Sequence, residues 1–199
     1  MRKTKQILDS EYTSTYESVF KQIFKYHDVF NEFWFSSNIA QRILINPQAL
    51  ELDNTRMDAL IEAMVAIGDD AYVLSIIELF GGSDEKHWLI PIEEFPSYYY
   101  SIGMNKVLEN VIYSPTGQWG IKFTMDQYAI AGGSQEFIQI LRQKWPTSID
   151  NGITPFLNEF MHDHKRFGIN FAWIEQFLEH IYGTAKAHQL LLPYKIKSS

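Results

Sequence analysis

The order of turn signals between residues 111 and 145 constrains the fold of this chain more than any other feature of its sequence. Residues 114–117 (SPTG) have proline in the second position and glycine in the fourth, as type I turns favour. β-branched and aromatic residues are concentrated on both sides of this turn. We therefore predict that residues 108–113 and 119–123 pair as a β-hairpin.

The same stretch then predicts a change from sheet to helix. A turn at residues 126–127 leads into a strand at 128–131, and the pair Gly132-Gly133 is expected to act as a backbone hinge. Ser134 is suited to cap a helix. The apolar face of that helix recurs at helical spacing: Phe137, Ile138, Leu141 and Trp145.

The remaining periodicities complete an α+β prediction for a single domain spanning 1–199. We expect a helical N-terminal part (1–68), an antiparallel sheet of about five strands (72–131) and a helical C-terminal part (134–192). Residues 72–80 are compatible with a strand or a buried helix, and the turn-like residues after them favour a hairpin. Trp34 is expected to lie in the core, on a helix covering the sheet.

Composition excludes several classes of site. The chain has no cysteine, which rules out disulfides, thiolate metal sites and cysteine nucleophiles. The basic N-terminus lacks the apolar core of a signal peptide, and no apolar run approaches the roughly 20 residues of a membrane span. We expect a cytoplasmic protein that does not bind membranes.

Negative charge is concentrated in one part of the chain. Residues 51–94 contain eleven acidic side chains and two basic ones, whereas the whole chain has a net charge of −7. Such a segment repels phosphate backbones and attracts a basic protein, so we expect no nucleic-acid partner. The residues predicted to form this acidic binding surface are Asp58, Glu62, Asp69, Asp70, Asp84 and Glu85.

The run of tyrosines at Tyr98, Tyr99 and Tyr100 adds a possible contact to this surface. Successive strand residues alternate between faces, so three consecutive tyrosines cannot all point into the core. At least one is expected to present its hydroxyl to solvent or to a partner. A solvated acidic face that only maintains solubility is the alternative interpretation.

A second candidate site lies near the C-terminus. Glu159 and His162 are three residues apart, which would place both on one face of a helix, while His164 would point roughly 200° away from His162. Glu175, Glu179 and His180 offer the nearest matching set. A polar helix end without a metal is the favoured interpretation, and no catalytic residue or cofactor is assigned.

Residues 110–137 (NVIYSPTGQWGIKFTMDQYAIAGGSQEF) resemble a motif in small bacterial proteins, some of which are immunity proteins encoded beside polymorphic toxins. The shared features are the turn, Trp119-Gly120-Ile121, Ala129, and Gly132-Gly133 before Phe137. Immunity proteins of this kind are often acidic and cytoplasmic, and neutralise a basic toxin by covering it. The resemblance therefore implies a non-catalytic protein-binding module.

Two alternatives remain open from the residues alone. One is a small metal-dependent hydrolase that uses Glu159, His162 and His164. The other is a subunit of a larger assembly, and the oligomeric state is not predicted.

Overall fold

An antiparallel sheet of seven strands forms the middle layer of the fold. The computed structural model describes residues 3–27, 32–46, 54–79, 86–96, 107–124, 128–145, 152–168, 170 and 172–194. The strands are β1 (Lys5–Gln6), β2 (Phe24–His27), β3 (Glu32–Phe35), β4 (Gln41–Asn46), β5 (Ala71–Leu79), β6 (His87–Pro91), β7 (Val107–Tyr113), β8 (Trp119–Phe123) and β9 (Ala129–Gly133). Their order in the main sheet is β1-β6-β5-β7-β8-β9-β4, and β2 and β3 form a separate hairpin.

Helices precede, interrupt and follow the strands. The α-helices are α1 (Asp9–Glu11), α2 (Glu17–Ile23), α3 (Asn54–Ala66), α4 (Gln135–Lys144), α5 (Ile153–Phe167), α6 (Trp173–Tyr182) and α7 (Thr184–Leu191). A π-helical segment, Tyr12–Tyr16, joins α1 to α2, and 3₁₀ turns occupy Ile92–Glu94 and Leu192–Tyr194.

Both faces of the sheet are covered, and each has its own apolar core. Helices α3 and α4 pack on one face with Leu60, Met64 and Phe137. Helices α2, α5, α6 and α7 and the β2–β3 hairpin cover the other face. Because strands in such a middle layer are buried on both sides, successive residues of β5 enter opposite cores: Tyr72 and Leu74 lie in one and Val73 in the other.

The α+β class is therefore confirmed, with seven strands in the sheet where about five were expected. Strand β5 pairs with β6, which resolves residues 72–79 as a strand. The predicted hairpin is also present, since β7 pairs with β8 and the Gly117 N–H donates to the Ser114 carbonyl at 3.1 Å. Ser134 caps α4 by accepting from the Phe137 N–H.

The prediction of a helical part over residues 1–68 is wrong for residues 24–27, 32–35 and 41–46. Three strands lie there, and Trp34 is a core residue, as expected, but on β3 and not on a helix. In β4, Ile43 and Leu44 are buried in opposite cores, so the strand is apolar on both faces. An apolar run of this kind does not distinguish a buried strand from a buried helix.

The Gly132-Gly133 pair is part of strand β9 and does not form a hinge. Gly132 pairs with Arg42 of β4, and Gly133 pairs with Trp119 of β8. A Cβ atom on Gly132 would lie 2.7 Å from side-chain atoms of Ile39 and Phe35. The absence of a side chain at this position allows those two residues to pack directly on the sheet.

Among the described residues, no helix has the length and apolarity that crossing a membrane requires.

Candidate functional site

The acidic residues of helix α3 lie on its outer face. Asp58 and Glu62 are one turn apart and both are exposed, while Leu60 and Met64 on the opposite side are buried. The Glu62 carboxylate forms an ion pair with Lys144 of α4 at 2.6 Å, with about half of each side chain exposed. This pairing reduces the negative field at Glu62, so the charge of Asp58 is the less compensated of the two.

Asp69 is buried and therefore does not belong to a docking surface. Its side chain is only 8% exposed, and Oδ2 accepts a hydrogen bond of 2.7 Å from Nε1 of the buried Trp119. Thr116 approaches Oδ1 at 3.5 Å. The carboxylate therefore satisfies the indole N–H and joins the end of α3 to the hairpin turn, so its assignment to the acidic surface is wrong.

Asp70 remains exposed and adjoins a further acid that sequence reasoning did not select. The Ile92 N–H donates to the Asp70 carbonyl at 3.1 Å, which places Asp70 beside the 3₁₀ turn bearing the exposed Glu93. Helix α3 packs against this same turn. We use the term acidic surface below for Asp58, Glu62, Asp70 and Glu93. The predicted binding residues Asp84, Glu85, Tyr98, Tyr99 and Tyr100 lie outside the described residues.

The alternative hydrolase residues do not form a site in the described part of the chain. Glu159, His162 and His164 are all exposed on α5. Their ligand atoms do not converge into a metal-sized group of three, whereas those of Glu175, Glu179 and His188 do, lying within 4.8 Å of one another. His188 was not among the sequence candidates, because it is on a different helix from the two glutamates.

A polar cluster that the sequence did not reveal lies beneath the π-helical segment. Ser75 of β5 and His87 of β6 are paired residues in adjacent strands, and the Ser75 Oγ lies 2.8 Å from the His87 Nδ1. The Tyr12 ring stacks on the His87 imidazole with centroids 3.6 Å apart. π-Helical segments are uncommon and often lie at functional positions.

Burial determines the ionisation of this cluster. It lowers the pKa of His87 to about 4, against the opposing effect of the Asp9 charge. It also raises the pKa of Tyr12 and of Tyr113, whose hydroxyl interacts with those of Tyr12 and Ser75. Near neutral pH the cluster therefore carries no charge, which suits its position against the apolar core.

Ser75 and His87 have the separation of a nucleophile and its base, but Ser75 is only 1% exposed. A substrate carbonyl has no access to its hydroxyl in this arrangement. A histidine with a pKa of about 4 is also a weak base at neutral pH. We therefore assign the cluster a structural role, in which the Ser75 hydroxyl and the His87 imidazole satisfy one another.

A buried ion pair lies elsewhere in the sheet. Lys122 of β8 is 3% exposed, and its Nζ lies 3.9 Å from Oε2 of Glu109 on β7, which is 14% exposed. Removing one partner of such a pair leaves an uncompensated buried charge. In the sequence, the position of Lys122 among the apolar residues of this strand is the feature that could have predicted a buried ion pair.

A surface groove of about 360 Å³ follows helix α4 where it meets β4. Its polar lining comes from carboxamides and one guanidinium group: Gln41, Gln135, Gln139, Gln143 and Arg142. These side chains are neutral or positive, so the groove is electrostatically distinct from the acidic surface.

No family model, curated protein or solved structure matches this chain.

Proposed function

We propose that the chain is a non-catalytic protein-binding module that docks a basic protein through the acidic surface formed by Asp58, Glu62, Asp70 and Glu93. The observation that carries the proposal is the exposure of these four carboxylates around α3 and the adjoining 3₁₀ turn. The carboxylates of Asp58 and Glu93 have no hydrogen-bond or ion-pair partner among the described residues.

Electrostatics gives this surface its expected mode of action. The chain has a net charge of −7. Complementary fields accelerate association and disfavour partners of the wrong charge, and contacts at the centre of the interface then limit dissociation. An immunity protein that neutralises a basic toxin in the cytoplasm would work in this way, in agreement with the resemblance of residues 110–137.

The first experiment is a pull-down from lysate of the source organism with tagged protein at low and moderate salt. We expect one stoichiometric basic partner that is lost as salt increases, because charge-steered association is screened by salt. Capture of further copies of this chain, or of several proteins in fixed ratio, would instead support a subunit of a larger assembly.

Once the partner has been purified, charge reversal on this chain tests whether the acidic surface binds it. Close interfacial charge pairs are worth at least about 1.5 kcal/mol, so Asp58→Lys with Glu93→Lys should weaken binding by about tenfold or more. The melting temperature should change little, since both side chains are exposed.

A matched control is available on the other side of the sheet. Glu159→Lys with Asp163→Lys changes the net charge by the same amount on α5. Equal weakening by both double variants would mean that net charge alone controls binding. Unchanged affinity in the Asp58/Glu93 variant would remove the surface assignment.

A further inference from the structure

Helices α6 and α7 bring two carboxylates and an imidazole together at the C-terminal end of the chain. Glu175 and Glu179 are one turn apart on α6, and His188 reaches them from α7. The His188 Nε2 lies 3.2 Å from Oε1 of Glu175, and the three ligand atoms are within 4.8 Å of one another. The turn between the helices is formed by Gly183, with φ of +79°, a conformation that favours glycine.

The spacing of these atoms agrees with coordination of one ion. Zinc binds imidazole nitrogen and carboxylate oxygen at about 2.0–2.2 Å. Two ligand atoms on one such ion are about 3.0–3.4 Å apart in octahedral or tetrahedral geometry. The Glu175–His188 separation is already in that range, and rotation of the Glu179 side chain would bring the third ligand within reach.

The negative charge of the two carboxylates is not fully compensated by the neighbouring side chains. Like charges one turn apart destabilise a helix, and the Glu179 carboxylate has no hydrogen-bond or ion-pair partner among the described residues. Only 20% of the Glu175 side chain is exposed, so water screens its charge incompletely. A neutral His188 compensates neither carboxylate, and a protonated one would compensate only one of the two.

We propose that Glu175, Glu179 and His188 bind one divalent transition-metal ion, with Zn²⁺ the ion that suits them best. An imidazole ligand favours Zn²⁺ over the hard ions Mg²⁺ and Ca²⁺, which prefer oxygen ligands only. The bound ion joins α6 to α7 across the Gly183 turn. Water fills the remaining coordination positions, because His188 is 54% exposed.

The test is a titration of tag-free protein with ZnCl₂ by isothermal titration calorimetry, since a polyhistidine tag would itself bind zinc. We expect one zinc per chain in the wild type and a higher melting temperature with zinc, because an ion that binds only the folded state stabilises it. Loss of an outer-shell partner typically costs 10–100-fold in metal affinity, so loss of a direct ligand in His188→Ala or Glu179→Gln should cost about 100-fold or more.

The control carries the same residue types on another helix. Glu159→Gln with His162→Ala changes an exposed glutamate and histidine on α5 and should leave the affinity unchanged. Absence of stoichiometric zinc in the wild type, or unchanged affinity in either site variant, would overturn the proposal. If His188→Ala does not fold, Glu179→Gln decides the outcome. The result does not depend on whether the acidic surface docks a partner.

Discussion

Acidification should destabilise this protein through His87. Burial against the core lowers the pKa of this imidazole to about 4, whereas an unfolded chain holds histidine near its ordinary value of about 6.5. The unfolded state therefore binds more protons in this range. The stability that the neutral ring contributes is fully present above about pH 6.5 and is lost as the pH falls towards 4.

The size of the effect follows from the two pKa values. At pH 7.5 both states are essentially neutral at this ring, so no free-energy difference arises. At pH 5 the same values correspond to a loss of about 2 kcal/mol in the free energy of unfolding. Because His87 is only partly buried, solvent screening reduces this value, and we expect about 1 kcal/mol.

Urea unfolding at pH 7.5 and pH 5.0 measures this loss, with His87→Gln as the comparison. Glutamine does not titrate and retains a hydrogen-bonding group for Ser75. The two proteins differ only at residue 87, so the contributions of all other groups cancel in the difference. We expect the wild type to lose about 1 kcal/mol more than the variant between the two pH values.

Equal pH dependence in the two proteins would refute this account of His87. It would mean that the ring takes up its proton as easily in the folded state as in the unfolded one. An NMR titration of the His87 ring would then place its pKa near the ordinary value, and the stacked Tyr12 ring and the Ser75 hydroxyl would not keep it neutral.

Two substitutions test other contacts in the core. Asp69→Ala should lower the free energy of unfolding by about 2 kcal/mol, because it leaves the buried Trp119 N–H without an acceptor. Asp69→Asn retains an acceptor and should cost less in the same urea assay, so equal losses would contradict the hydrogen-bond explanation. Gly132→Ala should destabilise by about 1–3 kcal/mol, since its Cβ would lie 2.7 Å from Phe35 and Ile39. An unchanged unfolding midpoint would show that these side chains yield without cost.

Local signals located much of the secondary structure. The turn at 114–117, the capping Ser134 and the apolar spacing of α4 depend on residues close together in sequence, and all three predictions are confirmed. The strands of residues 24–46 were missed because their apolar runs fit a helix equally well. β4 is extended because it pairs with β9 and buries its residues in the cores on both faces of the sheet, and these are tertiary contacts.

The candidate sites also separate into features that the sequence predicts and features that depend on packing. The sequence by itself determined the acidic excess of residues 51–94, the absence of thiol chemistry and the α+β class. The sequence does not distinguish Asp69 from Asp70, although Asp69 is buried against Trp119 and Asp70 is exposed. Only the tertiary structure decided that difference, the Ser75–His87 pair and the convergence of His188 on Glu175 and Glu179. The physical reason is that burial and charge pairing depend on residues brought together by packing, which periodicity along the chain does not encode.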